Sequence, residues 1–343
     1  LPVGSTVKDS SGTEIEITDA LEWKTENPIT LKTEPVPAVK NVAMVGDTEY
    51  ATLEAAVEAV DGTNSTITLL TDVIQNAQLS IDKSLTLDLA GHKIYNTEDI
   101  WGDTTYCLLR VEDNAVVTIT GNGTVAAKKD DCYAISITSG SLTIENGTFI
   151  GNISAVQVET GSLTIKDGTF KQIQESKYGN TYVINCIDDE FASGAATVAI
   201  YGGTFVGFDP NVSPEKKVDG VAPSFAAPGV GITKNADGTF SAASGMVAQV
   251  LDADRSSVMP YASLADAITA AEAGQTVRLL KDATENIEIA TDKNITLDLN
   301  GHTINGGTGT AVATIKNCGT VTITDSSAAK TGTIKRDDNG TVG

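Results

Sequence analysis

The residues best suited to acid–base chemistry are the only two histidines, His92 and His302. Each follows an aspartate, Asp88 or Asp298, by four residues. An Asp–His pair can transfer protons. However, Gly-His is typical of a chain corner, and each aspartate alternates with leucines, as an outward-facing residue of a strand does. Two equal centres 210 residues apart are also unusual in an enzyme, so we interpret both histidines as structural.

Two acidic clusters offer paired carboxylates, one at Asp130 and Asp131 and the other at Asp188 and Asp189. Paired carboxylates catalyse glycoside hydrolysis or bind Ca²⁺. These four residues are therefore the weak candidates for catalysis, and a weakly bound Ca²⁺ is compatible with them. The alternative, which we favour, is that both clusters are solvated acidic loops, with no metal site and no cofactor.

Aromatic residues give the best candidate for ligand binding. The insertion Tyr95–Tyr106 carries Trp101 and Tyr106, and it is missing from the later copy of the same motif. Aromatic faces stack on sugar rings because they offer rigid amphipathic area. The alternative is local packing of the insertion. The candidate ligand-binding residues are Trp101, Tyr106, Arg110, Tyr133 and Tyr182, with Tyr178 as a further aromatic nearby.

A long-range repeat shows which elements position these residues. The sequence LTLDLAGHKI at Leu85–Ile94 recurs as ITLDLNGHTI at Ile295–Ile304, 210 positions later. The preceding strand-like segment and a short amphipathic helix recur with it. The patterns predict helices after Thr52 and Ser263, whose hydroxyl groups cap the first turn. The chain therefore contains two copies of one structural unit.

A finer repeat of short alternating strands runs through the first copy. Its Gly-Thr corners lie at Gly123, Gly147, Gly168 and Gly203, spaced 24, 21 and 35 residues apart. Short strands with Gly and Asn turns at this period are typical of a β-solenoid. One side chain in two points inside the coil, and we expect Phe149, Phe170 and Phe205 to stack inward. The longest spacing indicates an insertion near residues 175–194.

Composition excludes several classes of partner. The formal net charge is −22, and nucleic-acid binding needs a Lys/Arg surface. No apolar run is long enough to insert in a membrane, and the chain starts without a signal peptide, as a processed chain does.

The four cysteines have scattered spacings, so we predict free thiols, although Cys107 and Cys132 can lie on neighbouring coils.

The order VGDTEYATLEAAVEAV, ITLLTDV, LTLDLAGHKI, GTF, GFDP and NADGTF resembles the pectin-lyase-like repeat modules of Firmicutes surface proteins. The resemblance covers residues 42–343. It implies an all-β chain folded as a right-handed single-stranded parallel β-helix, in two tandem units that each have a short N-terminal α-helical cap. It also implies an extracellular or cell-surface location. Polygalacturonases resemble this fold too, and in them a glycine follows the histidine. No glycine follows His92 or His302.

We therefore divide the chain into four segments. Residues 1–41 form an extended leader or linker, and 42–206 form the first β-helix unit with its helical cap. Residues 207–246 are a closing flap and linker, and 247–343 form the second, shorter unit.

Three functions fit this organisation. The first is a non-catalytic structural or adhesive module of a bacterial surface protein, which binds an extracellular glycan or a host or cell-surface protein. The second is a carbohydrate-binding β-helix that uses the flank of Trp101 and Tyr106. The third is a polysaccharide lyase or glycoside hydrolase. We expect the first, and we expect no nucleic-acid partner.

Overall fold

The computed structural model describes residues 6–8, 14–16, 40–62, 65–174, 182–213, 224–253, 258–306 and 313–336. Of these residues, 45% lie in strands and 7% in helices, so the protein is predominantly β, as the sequence predicts. Residues 1–40 and 41–343 form two compact units. In the first unit, β1 (Thr6–Lys8) pairs antiparallel with β2 (Glu14–Glu16).

The second unit has two halves that begin with the same order of elements. The first half comprises β3 (Ala43–Val45), β4 (Thr48–Tyr50), α1 (Leu53–Ala59), β5 (Thr66–Leu69), β6 (Val73–Ile74), β7 (Leu79–Ile81), β8 (Leu85–Asp88), β9 (Lys93–Tyr95), β10 (Cys107–Val111), β11 (Val116–Thr120), β12 (Thr124–Ala126), β13 (Tyr133–Ile137), β14 (Ser141–Ile144), β15 (Thr148–Gly151), β16 (Val156–Val158), β17 (Gly161–Ile165), β18 (Thr169–Gln172), β19 (Ile184–Cys186), α2 (Asp188–Ser193), β20 (Ala196–Ile200), β21 (Gly203–Val206), β22 (Gly231–Lys234) and β23 (Thr239–Ala243). The second half comprises β24 (Ala248–Leu251), β25 (Val258–Tyr261), α3 (Leu264–Ala270), β26 (Thr276–Leu279), β27 (Ala283–Thr284), β28 (Ile287–Ile289), β29 (Asn294–Asp298), β30 (Thr303–Gly306), β31 (Ile315–Asn317), β32 (Thr320–Thr324) and β33 (Thr333–Arg336).

Each half opens with an antiparallel strand pair and a capped helix. In the first half β3 pairs with β4 and β5, and in the second half β24 pairs with β25 and β26. The Thr52 hydroxyl accepts the N–H of Ala55 at 3.1 Å, and the Ser263 hydroxyl accepts the N–H of Asp266 at 3.0 Å. Both predicted helix caps are confirmed. The antiparallel strands were not predicted.

Parallel pairing between every third strand builds three sheets in the first half. Sheet one contains β5, β8, β11, β14, β17 and β20; sheet two contains β6, β9, β12, β15, β18 and β21; sheet three contains β7, β10, β13, β16 and β19. The predicted repeats therefore stack in register, so that Leu142 pairs with both Val117 and Leu163. Gly147 and Gly168 have φ of 119° and 128°, which explains why these corners need glycine.

Alternate side chains from the three sheets fill one hydrophobic core. Phe149, Phe170 and Phe205 are fully buried, and their rings stack with centroids 5.2 and 5.1 Å apart. The inward phenylalanine stack predicted from the repeats is confirmed. Tilted ring contacts follow the stack, since the ring centroid of Phe208 lies 6.0 Å from that of Phe205 and 6.3 Å from that of Phe225.

An antiparallel hairpin follows the last strand of sheet two. β23 pairs with β21 and with β22, so this end of sheet two is covered by antiparallel strands. The second half then forms its own core, which runs from Val247 to Ile304. Each parallel strand again pairs with the third strand after it. Among the described residues, β31, β32 and β33 are the last strands of their sheets. Ile323 on β32 is 48% exposed.

Candidate functional site

Three aromatic rings meet at one end of sheet three. Trp101, Tyr106 and Tyr133 have ring centroids 6.0 to 6.4 Å apart, with interplanar angles of 53° to 90°. Edge-to-face and tilted contacts of this kind are favourable for aromatic rings. The tyrosines are half-buried, whereas Trp101 is 52% exposed. The cluster therefore presents mainly the indole of Trp101 to solvent.

A buried carboxylate holds the segment that carries Trp101. This segment, residues 96–106, connects β9 to β10, and we call it the Trp101 loop. Asp131, which is 4% exposed, accepts the N–H groups of Ile100 and Trp101 at 3.1 and 2.9 Å through Oδ1. Its Oδ2 accepts the side-chain amide of Asn96 at 2.5 Å. The conformation of the loop is thus determined by a residue of the next repeat.

Further contacts attach the loop to residues 128–130. The N–H of Lys128 donates to Asn96 Oδ1 at 2.7 Å, and its ammonium group lies 2.5 Å from Asp99 Oδ1. The hydrogen bond to Asp99 raises the pKa of Lys128 above its ordinary value. Asp130 has a left-handed φ of 61° and donates its N–H to Asn152 Oδ1 at 2.9 Å. Lys128 therefore holds the Trp101 loop directly, and Asp130 is hydrogen-bonded to Asn152 of the following repeat.

The phenol groups of the cluster are neutral at ordinary pH. Tyr106 donates its hydroxyl to Glu159 Oε1 at 2.8 Å, and Ser136 donates to the same oxygen at 2.9 Å. Burial, together with the bond to Glu159, raises the pKa of Tyr106 to about 12. Burial also raises the pKa of Tyr133. Both phenols can therefore act only as neutral hydrogen-bonding groups.

Arg110 lies beside the tyrosines and is held by its neighbours. Its guanidinium carbon is 5.5 Å from the centroid of the Tyr106 ring, within the range of a cation–π contact. Its Nε lies 3.0 Å from Glu112 Oε2, but the N–H forms no hydrogen bond there, so this contact is an ion pair only. Its Nη1 donates to the carbonyl of Thr104 at 3.5 Å. Arg110 therefore belongs to the aromatic cluster.

Four of the five candidate ligand-binding residues come together: Trp101, Tyr106, Arg110 and Tyr133. Tyr182 lies apart, before β19, which is two strands from β13 in sheet three. Its N–H donates to Gln172 Oε1 at 3.0 Å. Tyr178 lies outside the described residues. The insertion therefore does pack locally, as the alternative predicted, and it also exposes Trp101.

Sequence reasoning missed the polar groups that organise the cluster, namely Glu159, Ser136 and Asn96. A signal for Ser136 was present, because it occupies the same position of the repeat as Arg110 and pairs with it in sheet three. Glu159 and Glu112 follow β16 and β10 directly, so both carboxylates occupy equivalent positions. No sequence signal identified Asn96.

The acidic catalytic candidates do not share one environment. The carboxylate of Asp131 is buried and accepts hydrogen bonds from the Trp101 loop. Asp130 is exposed, and Asp188 and Asp189 are exposed in the first turn of α2. Within the described part of the chain, no three His, Cys, Asp or Glu residues are grouped so that they could hold a metal ion.

The two histidines occupy identical corners in the two halves. Nδ1 of His92 lies 3.6 Å from Asp72, and Nδ1 of His302 lies 3.6 Å from Asp282. The preceding aspartates differ in their exposure. Asp88 is half-buried. Asp298 is 2% exposed and lies 2.7 Å from Arg278, because Arg278 pairs with it in the adjacent strand.

All four cysteines are free thiols, as predicted. Cys107 pairs with Tyr133 across β10 and β13, so Cys132 is one residue out of register with it. Cys132 lies just before β13, and no disulfide joins it to Cys107. The thiol of Cys107 instead donates to Gln78 Oε1 at 3.2 Å.

Comparison of the chain with protein-family models, with curated proteins and with solved structures found no match. Among the described residues, no helix has both the length and the apolar composition that crossing a membrane requires. The arguments for function therefore depend on the geometry of the aromatic cluster.

Proposed function

We propose that this chain is a non-catalytic adhesive module of a bacterial extracellular or cell-surface protein, and that it binds a carbohydrate through the flank formed by Trp101, Tyr106, Tyr133 and Arg110. The observation that carries the proposal is an exposed indole on a loop fixed by the buried carboxylate of Asp131. A large apolar ring left in solvent, but held in one position, has the properties of a binding residue rather than a packing residue.

We also propose that the three sheets close into a right-handed single-stranded parallel β-helix of the pectin-lyase-like kind. Support comes from the pairing of every third strand and from the single core that the three sheets share. Such a scaffold is rigid along its axis and presents loops at its flanks. An experimental structure that separated the three sheets into independent layers would contradict this part of the proposal.

The chemistry of the flank suits sugar binding. The indole offers an apolar face, and the neutral tyrosine hydroxyls and the carboxylates of Glu112 and Glu159 offer hydrogen-bonding partners at its edge. Sugars present both C–H faces and hydroxyl groups, so they match a site of this composition. The positions of Asp130, Asp131, Asp188 and Asp189 favour no specific hydrolytic or lyase reaction.

The experiment is a glycan array followed by titration calorimetry with the wild type and with Trp101→Ala. We expect Trp101→Ala to weaken binding by about tenfold or more, because a loss of about 1.4 kcal/mol corresponds to a factor of ten. Tyr201→Ala is the matched control, since Tyr201 is also an exposed aromatic residue but follows β20 in sheet one. It should bind normally. If no glycan binds, the flank is not a carbohydrate site.

A parallel assay separates binding from turnover. Neutral and acidic polysaccharides are incubated with the protein, with and without Ca²⁺, and reducing sugars and unsaturated products are measured. The proposal expects no product. Product formation that Asp188→Asn or Asp189→Asn abolishes would replace it with an enzymatic function.

A further inference from the structure

We infer that the aromatic flank binds one sugar residue, and that this residue carries no carboxylate. The inference rests on the proposed carbohydrate-binding function and specifies the size and charge of the ligand. Three features carry it: the angles between the three rings, the residues of sheet three next to the cluster, and the charges of the Trp101 loop.

The ring angles prevent a flat glycan chain from stacking on more than one ring. Trp101 makes interplanar angles of 60° with Tyr106 and 53° with Tyr133, and the two tyrosines are at 90° to each other. A chain that contacts successive rings needs them to lie side by side with their faces aligned. Of the three residues, only Trp101 is more than half exposed. The cluster therefore accommodates one sugar ring on the indole.

Sheet three does not extend the platform along the stacked repeats. Its outward positions in register with Arg110 are Ser80, Ser136, Gln157 and Asn185, none of which is aromatic. Ser136 and Gln157 are also buried. The position between Tyr133 and Tyr182 in neighbouring strands is the buried Ser154. A second sugar ring would therefore find no stacking partner next to the cluster.

The charges around the indole disfavour an acidic sugar. The Trp101 loop contains Glu98, Asp99 and Asp103 but no lysine or arginine, and all three carboxylates are exposed. Asp99 is paired with Lys128, and Arg110 is paired with Glu112. Among the described residues, the uncompensated negative charges of the loop are therefore those of Glu98 and Asp103. A uronic acid would bring a further negative charge within the screening length of about 8–10 Å. A neutral sugar does not meet this repulsion, and an amino sugar gains from the same field.

The test uses glucose, N-acetylglucosamine, glucosamine and galacturonate, each as oligomers of one, two and four units, in titration calorimetry. For a sugar that binds, we expect dissociation constants within about threefold of each other for all lengths. We expect galacturonate to bind at least about tenfold more weakly at low salt, with a smaller difference at high salt because salt screens the loop charges.

Two variants make the test specific. Tyr182→Ala should leave affinity unchanged, because that ring lies outside the single-residue site. Asp103→Asn should reduce the difference in affinity between neutral and acidic sugars. The inference is overturned if affinity rises about tenfold or more from one to four units and Tyr182→Ala removes the rise, or if galacturonate binds best. Absence of binding by every probe and on the array would overturn the proposed function itself.

Discussion

Oδ1 of Asp131 accepts the backbone N–H of Trp101 at 2.9 Å, although 30 residues separate the two in the sequence. The carboxylate lies in the segment between β12 and β13, and the indole lies in the segment between β9 and β10. Stacking of successive repeats brings the two connections side by side. A buried residue of one repeat thus determines where the neighbouring repeat presents its exposed ring.

Removing this carboxylate should loosen the loop. In Asp131→Asn one acceptor oxygen becomes a donor, so at least one of the N–H groups of Ile100 and Trp101 or the Asn96 amide loses its partner. We expect a loss of about 1–3 kcal/mol in the free energy of unfolding and faster amide exchange at Ile100 and Trp101. Urea unfolding and hydrogen exchange measure the two effects. Asp130→Asn is the control, because Asp130 is exposed and its bond to Asn152 uses the backbone. Equal exchange in both variants would contradict this role.

The loss of stability on removing a phenylalanine ring should depend on its position in the stack. Phe170 contacts rings on both sides, whereas Phe149 stacks on Phe170 and pairs with Val125 on its other side. Phe170→Ala should lower the free energy of unfolding by about 3–5 kcal/mol. Phe149→Ala should lower the free energy of unfolding by about 0.5–1.5 kcal/mol less than Phe170→Ala does, since it loses one ring–ring contact instead of two. Urea unfolding followed by circular dichroism compares the two. A larger loss for Phe149→Ala would show that the stacking contacts do not determine the cost.

The repeats and the inward stack were predictable because they depend on patterns that recur in the sequence. The spacing of Gly147 and Gly168 aligns strands that do pair in register. The antiparallel strands β3 and β24 were not predicted in the same way, since they have only three and four residues and lie outside the finer repeat. α2 was also missed, because its six residues begin with three acidic ones and none is buried.

The candidate site was predictable in its aromatic residues and not in its polar ones. Trp101 and Tyr106 were found because an insertion in one of two copies is visible in the sequence. Their contact with Tyr133 agrees with the predicted stacking of repeats. The role of Asp131 depends on the conformations of two loops, so its sequence neighbours suggested a catalytic pair instead. The burial of Asp298 was not predicted, because it depends on Arg278 in the adjacent strand.

The buried pair of Asp298 and Arg278 should make stability depend on pH. Burial alone would raise the pKa of Asp298, but hydrogen bonds from Ser326 and Arg278 outweigh it, so the folded pKa lies below its ordinary value of 3.8. The unfolded chain therefore binds the proton more readily, and stability is present above about pH 4 and is lost as the pH falls toward the folded pKa. Asp298→Asn should cost about 1.5–3 kcal/mol at pH 7 and should flatten this dependence.

The first half supplies the control for this pair. The equivalent aspartate, Asp88, pairs in register with Thr68 instead of an arginine. Asp88→Asn should therefore cost less than Asp298→Asn in urea unfolding at pH 7. If the two variants lost the same stability, the Arg278 contact would contribute nothing measurable.

The thiols should differ sharply in reactivity, and this tests the register of sheet three. Burial raises the pKa of Cys107 to about 12 and also raises that of Cys132, so neither forms the nucleophilic thiolate at pH 8. Cys186 is buried and Cys318 is exposed. We expect one of the four thiols to react quickly with Ellman's reagent in the folded protein, and all four to react in urea. In the folded Cys318→Ser variant, no thiol should react quickly.

Because Cys107 pairs with Tyr133, mild oxidation should not join it to Cys132. A Cys107–Cys132 disulfide found by mass spectrometry would mean that β10 and β13 pair one residue out of the register described here.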